Sequence, residues 1–277
     1  MIKQFIISIF ILVLLASCGT RKASQPVAPE KKQLVELSDM FQTGHARFVE
    51  AVQEDSLIKV VWRDHASKVV MVLIDIEYED GEKEQVQQSG ILVGGNQLVL
   101  TAGHGFIVDE GKVVATRIVA GKNREVAVTL AGLSYIKHAE PLKDWAILKP
   151  LYDLNMEAFP LAERRAAYSE QVLVLGFPGA LGLNRAGIVE RVDRRMMDPK
   201  GPLGIICDRQ RFDRFTLKPV AGSIPVRGIS GAPVFNSQGE LIGLFSSMGR
   251  RRYGESWEYI FEMSEVPWVR IRELEGK

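Results

Sequence analysis

Three short segments of the 277-residue chain carry side chains that together could do nucleophilic chemistry. Ser230 lies between Gly228 and Gly231 in a Gly-Ile-Ser-Gly-Ala-Pro run, where glycines allow a tight turn with N–H groups directed at a carbonyl. His104 follows an apolar, β-branched run, and Asp144 precedes a Trp-Ala-Ile-Leu run. A serine hydroxyl needs a base, the base needs an orienting carboxylate, and the resulting oxyanion needs donors. The segments therefore predict a nucleophile, a base and an orienting acid for attack on an acyl carbon.

Strands must position these side chains, because the apolar runs after residue 56 are short, β-branched and separated by turn residues. Among these strands one helix is predicted, at Glu265–Leu274. A break near Leu151–Ser169, which contains Pro160 and a charged stretch, divides the strands into two sets. The predicted strands are Leu57–Trp62, Val69–Tyr78, Gln85–Val93, Gln97–Thr101, Val113–Ala120, Val126–Leu133, Trp145–Leu148, Gln171–Gly176, Gly187–Arg194, Ile205–Asp208, Ala232–Phe235, Glu240–Ser246 and Trp257–Glu262. This pattern is typical of an all-β sandwich or barrel.

The three segments, with their strand contexts and their order along the chain, resemble the trypsin-like serine peptidases. Three further stretches match that family: Ser89–Leu92, Gly176–Pro178 and Leu241–Leu244. The resemblance covers roughly residues 55–270. It implies a chymotrypsin-like, all-β fold of two six-stranded antiparallel barrels, at 55–160 and 161–277, with the C-terminal helix in the second part. Because paired cysteines are lacking, the bacterial branches, such as the high-temperature-requirement proteases and glutamyl endopeptidases, are the expected relatives.

The resemblance also implies a role for each residue. Ser230 would attack the carbonyl, His104 would take and return the proton, and Asp144 would orient the histidine. The N–H groups of Gly228 and Ser230 would form the oxyanion hole. Ile229 stands where the family commonly has Asp or Asn, but this difference removes no catalytic atom. The predicted function is a serine endopeptidase acting through an acyl-enzyme; the alternative is a catalytically silent lipoprotein that binds peptides in its cleft.

A substrate pocket is predicted on both sides of the nucleophile. In the family, the residue six positions before the serine tends to form the pocket floor, and here that residue is Ile224. Phe245, Ser246 and Ser247 are expected to wall the pocket. Since no carboxylate is present to pair with Lys or Arg, an apolar or small side chain is the expected preference. The run Arg250–Arg252 is predicted to be a loop, either solvated or in contact with acidic parts of a substrate.

The N-terminus predicts export and lipidation. Residues 1–17 combine a basic start with an apolar run too short to span a bilayer. The run ends in Leu-Ala-Ser-Cys, which resembles the bacterial lipobox, so Cys18 is expected to carry diacylglycerol and acyl chains such as palmitate. An ordinary signal peptide or a short anchor is the alternative. Residues 18–54 are expected to form a tether and a short helix, and the residue after Cys18 is Gly19, which favours the outer membrane, facing the periplasm.

Composition argues against a nucleic-acid partner, whereas the peptidase resemblance implies a protein or peptide substrate and the lipobox implies a membrane. Lys and Arg number 35 against 34 Asp and Glu, so no global basic field is present to hold nucleic acid. The two cysteines, Cys18 and Cys207, exclude a disulfide scaffold if the first is lipidated. The histidines outside the proposed site show no zinc spacing, so neither a metal nor another cofactor is expected.

Overall fold

The structure is a computed structural model of the chain. It describes residues 63–95, 97–120, 124–136, 142–161, 171–177, 203–209, 216–219, 228–236, 238–253 and 256–276. Within this part of the chain, no helix has the length and apolar character needed to cross a membrane.

Six antiparallel strands close the first barrel in the order β1-β2-β3-β6-β5-β4. Its strands are β1 (Val69–Tyr78), β2 (Lys83–Val93), β3 (Leu98–Thr101), β4 (Gly111–Ala120), β5 (Arg124–Ile136) and β6 (Lys143–Pro150). Alternation explains β1, because Val70, Val72 and Ile74 are fully buried while the residues between them are partly exposed. Two 3-10 turns, Ala66–Lys68 and His104–Phe106, precede β1 and follow β3.

Six further antiparallel strands close the second barrel in the order β10-β11-β12-β9-β8-β7. Its strands are β7 (Gln171–Gly176), β8 (Leu203–Arg209), β9 (Thr216–Pro219), β10 (Pro233–Phe235), β11 (Leu241–Tyr253) and β12 (Ser256–Ser264). One helix, α1 (Trp268–Leu274), follows β12. The predicted fold class, two six-stranded antiparallel barrels and a C-terminal helix, is confirmed.

One apolar cluster joins the two barrels and the helix. It contains Leu98 and Ile147 from the first barrel, Phe235 from the second, and Trp268 and Ile271 from α1. Although α1 follows the second barrel in sequence, it therefore also packs on the first. Each barrel has in addition a cluster of its own. The shared cluster fixes the barrels against each other, which positions side chains from both at their junction.

The structure corrects the sequence prediction at three elements. The run Arg250–Arg252 was predicted to be a loop but belongs to β11, which pairs with β12 as far as Tyr253. Strand pairing is made by the main chain, so it continues where no apolar alternation is present to indicate it. Strand β9 was not predicted, because its four residues, Thr-Leu-Lys-Pro, contain no apolar run. Helix α1 begins after Pro267, not at Glu265, because a proline excludes helical geometry for the residue before it.

Two predicted strands, Leu57–Trp62 and Gly187–Arg194, lie outside the described residues.

Candidate active site

His104 and Asp144 meet because their strands are neighbours in the first barrel. β3 pairs with β6, so the turn that begins at His104 lies beside the start of β6, where Asp144 is the second residue. The Nδ1 atom of His104 lies 2.8 Å from Oδ2 of Asp144, and the backbone N–H of His104 donates to Oδ1 at 2.7 Å. Both carboxylate oxygens therefore hold the same histidine, which orients its ring and directs the other ring nitrogen away from the acid.

The second barrel encloses the Asp144 carboxylate. Asp144 is fully buried, and the hydroxyl of Ser246 in β11 donates a hydrogen bond to Oδ2. The N–H of Asp144 donates to Oγ of Ser264 in β12 at 2.9 Å. Burial acts to raise the pKa of Asp144, but the hydrogen bonds from His104 and Ser246 and the interaction with the charge on His104 together hold this pKa below its usual value. The carboxylate is therefore ionised at neutral pH.

Close backbone contacts shape the turn that carries His104. A Cβ atom on Gly103 would lie 2.4 Å from the carbonyl oxygen of Ser134, and one on Gly105 would lie 2.1 Å from the side-chain amide of Gln88. Gln88 is buried, and in the amide orientation that satisfies both of its polar ends it donates to Ala102 O and accepts from Gly105 N–H, each at 3.2 Å. The backbone contact therefore requires glycine at position 103, whereas a side chain at position 105 would displace the Gln88 amide that braces the turn.

The turn that carries Ser230 is bound to both barrels. The carbonyl of Ser230 accepts a hydrogen bond from Ser89 N–H at 2.8 Å, and Gly231 N–H donates to Phe245 O at 2.7 Å. A Cβ on Gly231 would lie 2.5 Å from Ala102 N, two residues before the histidine. Gly231 also has φ of +79°, a conformation that glycine adopts without strain. The flanking glycine therefore lets the serine turn lie directly against the strand that leads to the base.

In the Ser230 turn the serine hydroxyl has a hydrogen-bond acceptor, whereas two backbone N–H groups have none among the described residues. The Ser230 hydroxyl donates to the carbonyl oxygen of Ser246 at 3.4 Å, and in the described part of the chain no hydrogen bond joins Ser230 to His104. Gly228 has φ of +97°. Among the described residues, none accepts a hydrogen bond from the N–H of Gly228 or Ser230. These are the two N–H groups that the family resemblance assigns to an oxyanion hole.

Of the residues predicted to bind substrate, one is buried in the second barrel and two hydrogen-bond to acidic side chains. Phe245 is buried inside the second barrel, where its ring packs edge-on against Phe261 with the centroids 5.2 Å apart. The side chain of Ser246 contacts Asp144, and the hydroxyl of Ser247 donates to Glu262. Ile224 lies outside the described residues, as does Cys18.

Four polar residues have contacts in the site that the sequence analysis did not predict. Three of them were given no role, and the fourth, Ser246, was expected to wall the substrate pocket. Gln88 and Ser89 are adjacent on β2, and Ser246 and Ser264 lie on β11 and β12. The Ser89–Leu92 match was the only sequence feature that could have indicated Ser89. The contacts of the other three depend on the register between strands far apart in the chain, which spacing along the sequence does not specify.

Comparisons with known proteins agree with the geometry. A family model described as trypsin-like peptidase domain matches residues 88–244. No curated protein sequence matches the chain. Among solved structures, the chain is similar to the crystal structure of the serine endoprotease from Yersinia pestis, with 17% sequence identity and a TM-score of 0.50. The match covers 79% of this chain and 65% of that one, so the chain spans less than two thirds of that protein's length. At this identity the likeness concerns the fold.

Proposed function

Since the chain belongs to the trypsin-like peptidase family, we propose that it is a serine endopeptidase with Ser230, His104 and Asp144 as its triad. One observation carries the proposal: both oxygens of the buried Asp144 carboxylate hold His104, and the segment that leads to His104 packs against the Ser230 turn. An ionised, fully buried acid needs such partners, because an unpaired buried charge is costly. The arrangement supplies an oriented base beside a serine.

The proposed reaction has two stages. In the first, Ser230 Oγ bonds to the peptide carbonyl carbon, its proton passes to the free ring nitrogen of His104, and the carbonyl π electrons move onto the oxygen. The N–H groups of Gly228 and Ser230 stabilise that oxyanion. The C–N bond then breaks, and the amine leaves with the proton from His104. Water repeats the sequence on the acyl-enzyme, releasing the acid and restoring the serine hydroxyl.

The proposed substrates are proteins or peptides. At the predicted pocket floor, Ile224 has no charge to pair with a basic side chain, so cleavage after an apolar or small residue is preferred. Next to His104, the ring of Tyr135 lies edge-on with its centroid 6.3 Å from that of the histidine, and its side chain is partly exposed. This aromatic surface suits an apolar side chain of the substrate close to the scissile bond.

A catalytically silent, peptide-binding protein is the second candidate, and the hydroxyl of Ser230 favours it. That hydroxyl donates to the carbonyl of Ser246 and makes no hydrogen bond to His104 among the described residues. In many enzymes, however, this hydrogen bond is long or misaligned until substrate binds. The two candidates therefore differ in whether Ser230 becomes nucleophilic.

Labelling by a fluorophosphonate probe tests the proposed function. The full-length, detergent-solubilised chain is expected to bond to the probe at one site, and Ser230→Ala is expected to remove the labelling. His104→Ala should lower the labelling rate by orders of magnitude, because the serine loses its base. A folded wild-type chain that is not labelled would contradict the enzyme and favour the silent binder.

The proposed location is the bacterial cell envelope. Cys18 would carry lipid, and the polar residues that follow would hold the two barrels away from the bilayer, on the periplasmic side of the outer membrane. Support comes from the apolar run and the Leu-Ala-Ser-Cys sequence at the N-terminus. More than one acyl chain is needed for stable attachment, because a single chain binds membranes only marginally.

A further inference from the structure

We propose that Ser89 is a positioning residue that holds the oxyanion loop, residues 228–231, in its active conformation. The inference rests on the proposed function and assigns a role to a residue outside the triad. Ser89 lies on β2 of the first barrel, whereas the oxyanion loop belongs to the second. A side chain that joins the two could therefore couple the packing of the barrels to the chemistry.

Ser89 has a partner for each of its polar atoms. It is fully buried, and its hydroxyl donates to the carbonyl of Gly228 at 2.8 Å and accepts from the N–H of Phe177 at 2.8 Å. Its own N–H donates to Ser230 O at 2.8 Å, and its carbonyl accepts from the hydroxyl of Thr101 at 2.6 Å. One residue thus connects β2, the end of β3, the end of β7 and the oxyanion loop.

The bond to the Gly228 carbonyl is the one that bears on catalysis. This carbonyl lies in the peptide unit between residues 228 and 229, and that unit separates the two proposed donors, the N–H groups of Gly228 and Ser230. Because Gly228 lacks a side chain and has φ of +97°, local sterics hold its backbone only weakly. The Ser89 hydroxyl supplies a restraint that glycine itself does not, so the donors stay aimed at one point.

Tight packing keeps the Ser89 hydroxyl in place. A Cβ atom on Gly176 would lie 2.7 Å from this hydroxyl and 2.6 Å from the Cδ1 atom of Ile229. Ile229 is itself buried in the apolar cluster of the second barrel. The peptide after Gly228 is therefore held by a hydrogen bond and by the packing of a neutral side chain. The residue that departs from the family's Asp or Asn thus helps to hold the loop without a charge.

Replacing Ser89 with alanine should release the Gly228 carbonyl without releasing the loop. Two further bonds of the loop run between main-chain atoms, from Ser89 N–H to Ser230 O and from Gly231 N–H to Phe245 O, and alanine keeps them. The base and its acid are untouched, because neither contacts the Ser89 hydroxyl. The expected defect is therefore confined to stabilisation of the oxyanion.

The test compares the rate of fluorophosphonate labelling in the full-length, detergent-solubilised wild type, Ser89→Ala and Thr129→Val. Thr129 is the control, since its exposed hydroxyl donates to Lys149 O on a part of β5 away from the site. Ser89→Ala should lower the maximal labelling rate about ten- to a hundredfold, less than the loss from removing an oxyanion donor outright. The half-saturating probe concentration and the pH midpoint of labelling should not change, and Thr129→Val should match the wild type.

The outcomes separate the two proposals. If the wild type is labelled and Ser89→Ala is labelled equally fast, the positioning role is wrong and the proposed function stands. If the maximal rate falls only together with a shift in the pH midpoint or in half-saturation, Ser89 supports the fold in general and the inference fails. A wild type that is not labelled overturns both. Should Ser89→Ala not fold, Ser89→Cys, which keeps a weaker donor, should show the same defect at smaller size, and an unchanged rate there overturns the inference.

Discussion

Asp144 is the residue whose chemistry depends most on its ionised form. It accepts hydrogen bonds from the backbone and the ring of His104. An amide at this position cannot accept from Nδ1–H through its nitrogen, so Asp144→Asn should favour the wrong tautomer of the histidine. We expect kcat to fall about 10³- to 10⁴-fold with the fold retained, measured by steady-state proteolysis and circular dichroism. Asp75→Asn is the control, because Asp75 pairs with Arg117 on the barrel wall. Activity within tenfold of the wild type in Asp144→Asn would contradict the triad.

Ser246 separates a positioning role from a substrate-binding role. Its hydroxyl donates to the buried carboxylate of Asp144, and a hydrogen bond to a charged group contributes about 1.5–3 kcal/mol. Ser246→Ala should therefore lower kcat about ten- to a hundredfold and leave KM nearly unchanged. Peptide hydrolysis over a range of substrate concentrations measures both constants. A rise in KM at constant kcat would instead indicate that Ser246 contacts the substrate.

At the level of elements, helix α1 connects the end of the chain to both barrels. Ile271 is fully buried in the shared cluster, whereas Val269, two residues earlier, is 67% exposed. Ile271→Ala should leave a cavity and lower the free energy of unfolding by about 2–5 kcal/mol. Val269→Ala on the same helix is the matched control and should change it by less than about 0.5 kcal/mol. Urea unfolding measures both, and equal small effects would show that α1 contributes little to stability.

The turn before β1 is preceded by a histidine, His65, and we expect the packing of this element to depend on pH. The His65 ring stacks on Phe235 at a centroid distance of 4.8 Å and lies edge-on to Phe159 at 5.1 Å. Burial and the charge of Lys68 lower the pKa of His65, while Asp64 and backbone hydrogen bonds act in the opposite direction. Because the pKa is lower in the folded than in the unfolded chain, the unfolded chain binds the proton more readily.

The stability that neutral His65 contributes is therefore present above pH 6.5, the ordinary value for histidine, and is lost as the pH falls below it. His65→Phe keeps an aromatic ring in the cluster and removes the proton. We expect the decline in unfolding free energy between about pH 7 and pH 5 to be smaller in this variant than in the wild type. Urea titrations at pH 7, 6 and 5 measure it, and parallel pH profiles in the two proteins would contradict the role of His65.

The strands also show which parts of the fold could be predicted from the sequence. Short, β-branched apolar runs predicted β1 and β7 with the bounds that the structure has. The sequence predicts a loop at the polar end of β11, but this segment is a strand, because the pairing there is made by the main chain. The motifs indicated His104 and Ser230, but the contact of Ser246 with Asp144 joins residues 102 apart in sequence. Such contacts follow from how the barrels pack, which local patterns do not encode.

At the scale of the whole molecule, the site needs both barrels together. The first barrel contributes His104 and Asp144, the proposed base and acid, but Ser246 and Ser264 of the second hydrogen-bond to Asp144. The second contributes the serine turn, which Ser89 of the first holds. Each barrel therefore holds in place the site residues that the other barrel contributes. Changes in the cluster shared by the barrels should affect catalysis even where they contact no catalytic residue.

The proposed lipid on Cys18 would attach the two barrels to the membrane. Cys18→Ser removes the thiol that would bond to diacylglycerol, so the variant should leave the membrane fraction or accumulate as an uncut precursor. Hydrophobic attachment grows with each buried CH₂ group of an acyl chain, by about 0.8 kcal/mol, so losing all the chains should shift the distribution strongly. Cys207→Ser is the matched control, because it removes the only other thiol and should leave the protein in the membrane fraction. Fractionation of cells, with metabolic labelling by a palmitate analogue, measures both variants. A Cys18→Ser protein that is processed normally and stays on the membrane would show that the chain is held there by other means than lipid on Cys18.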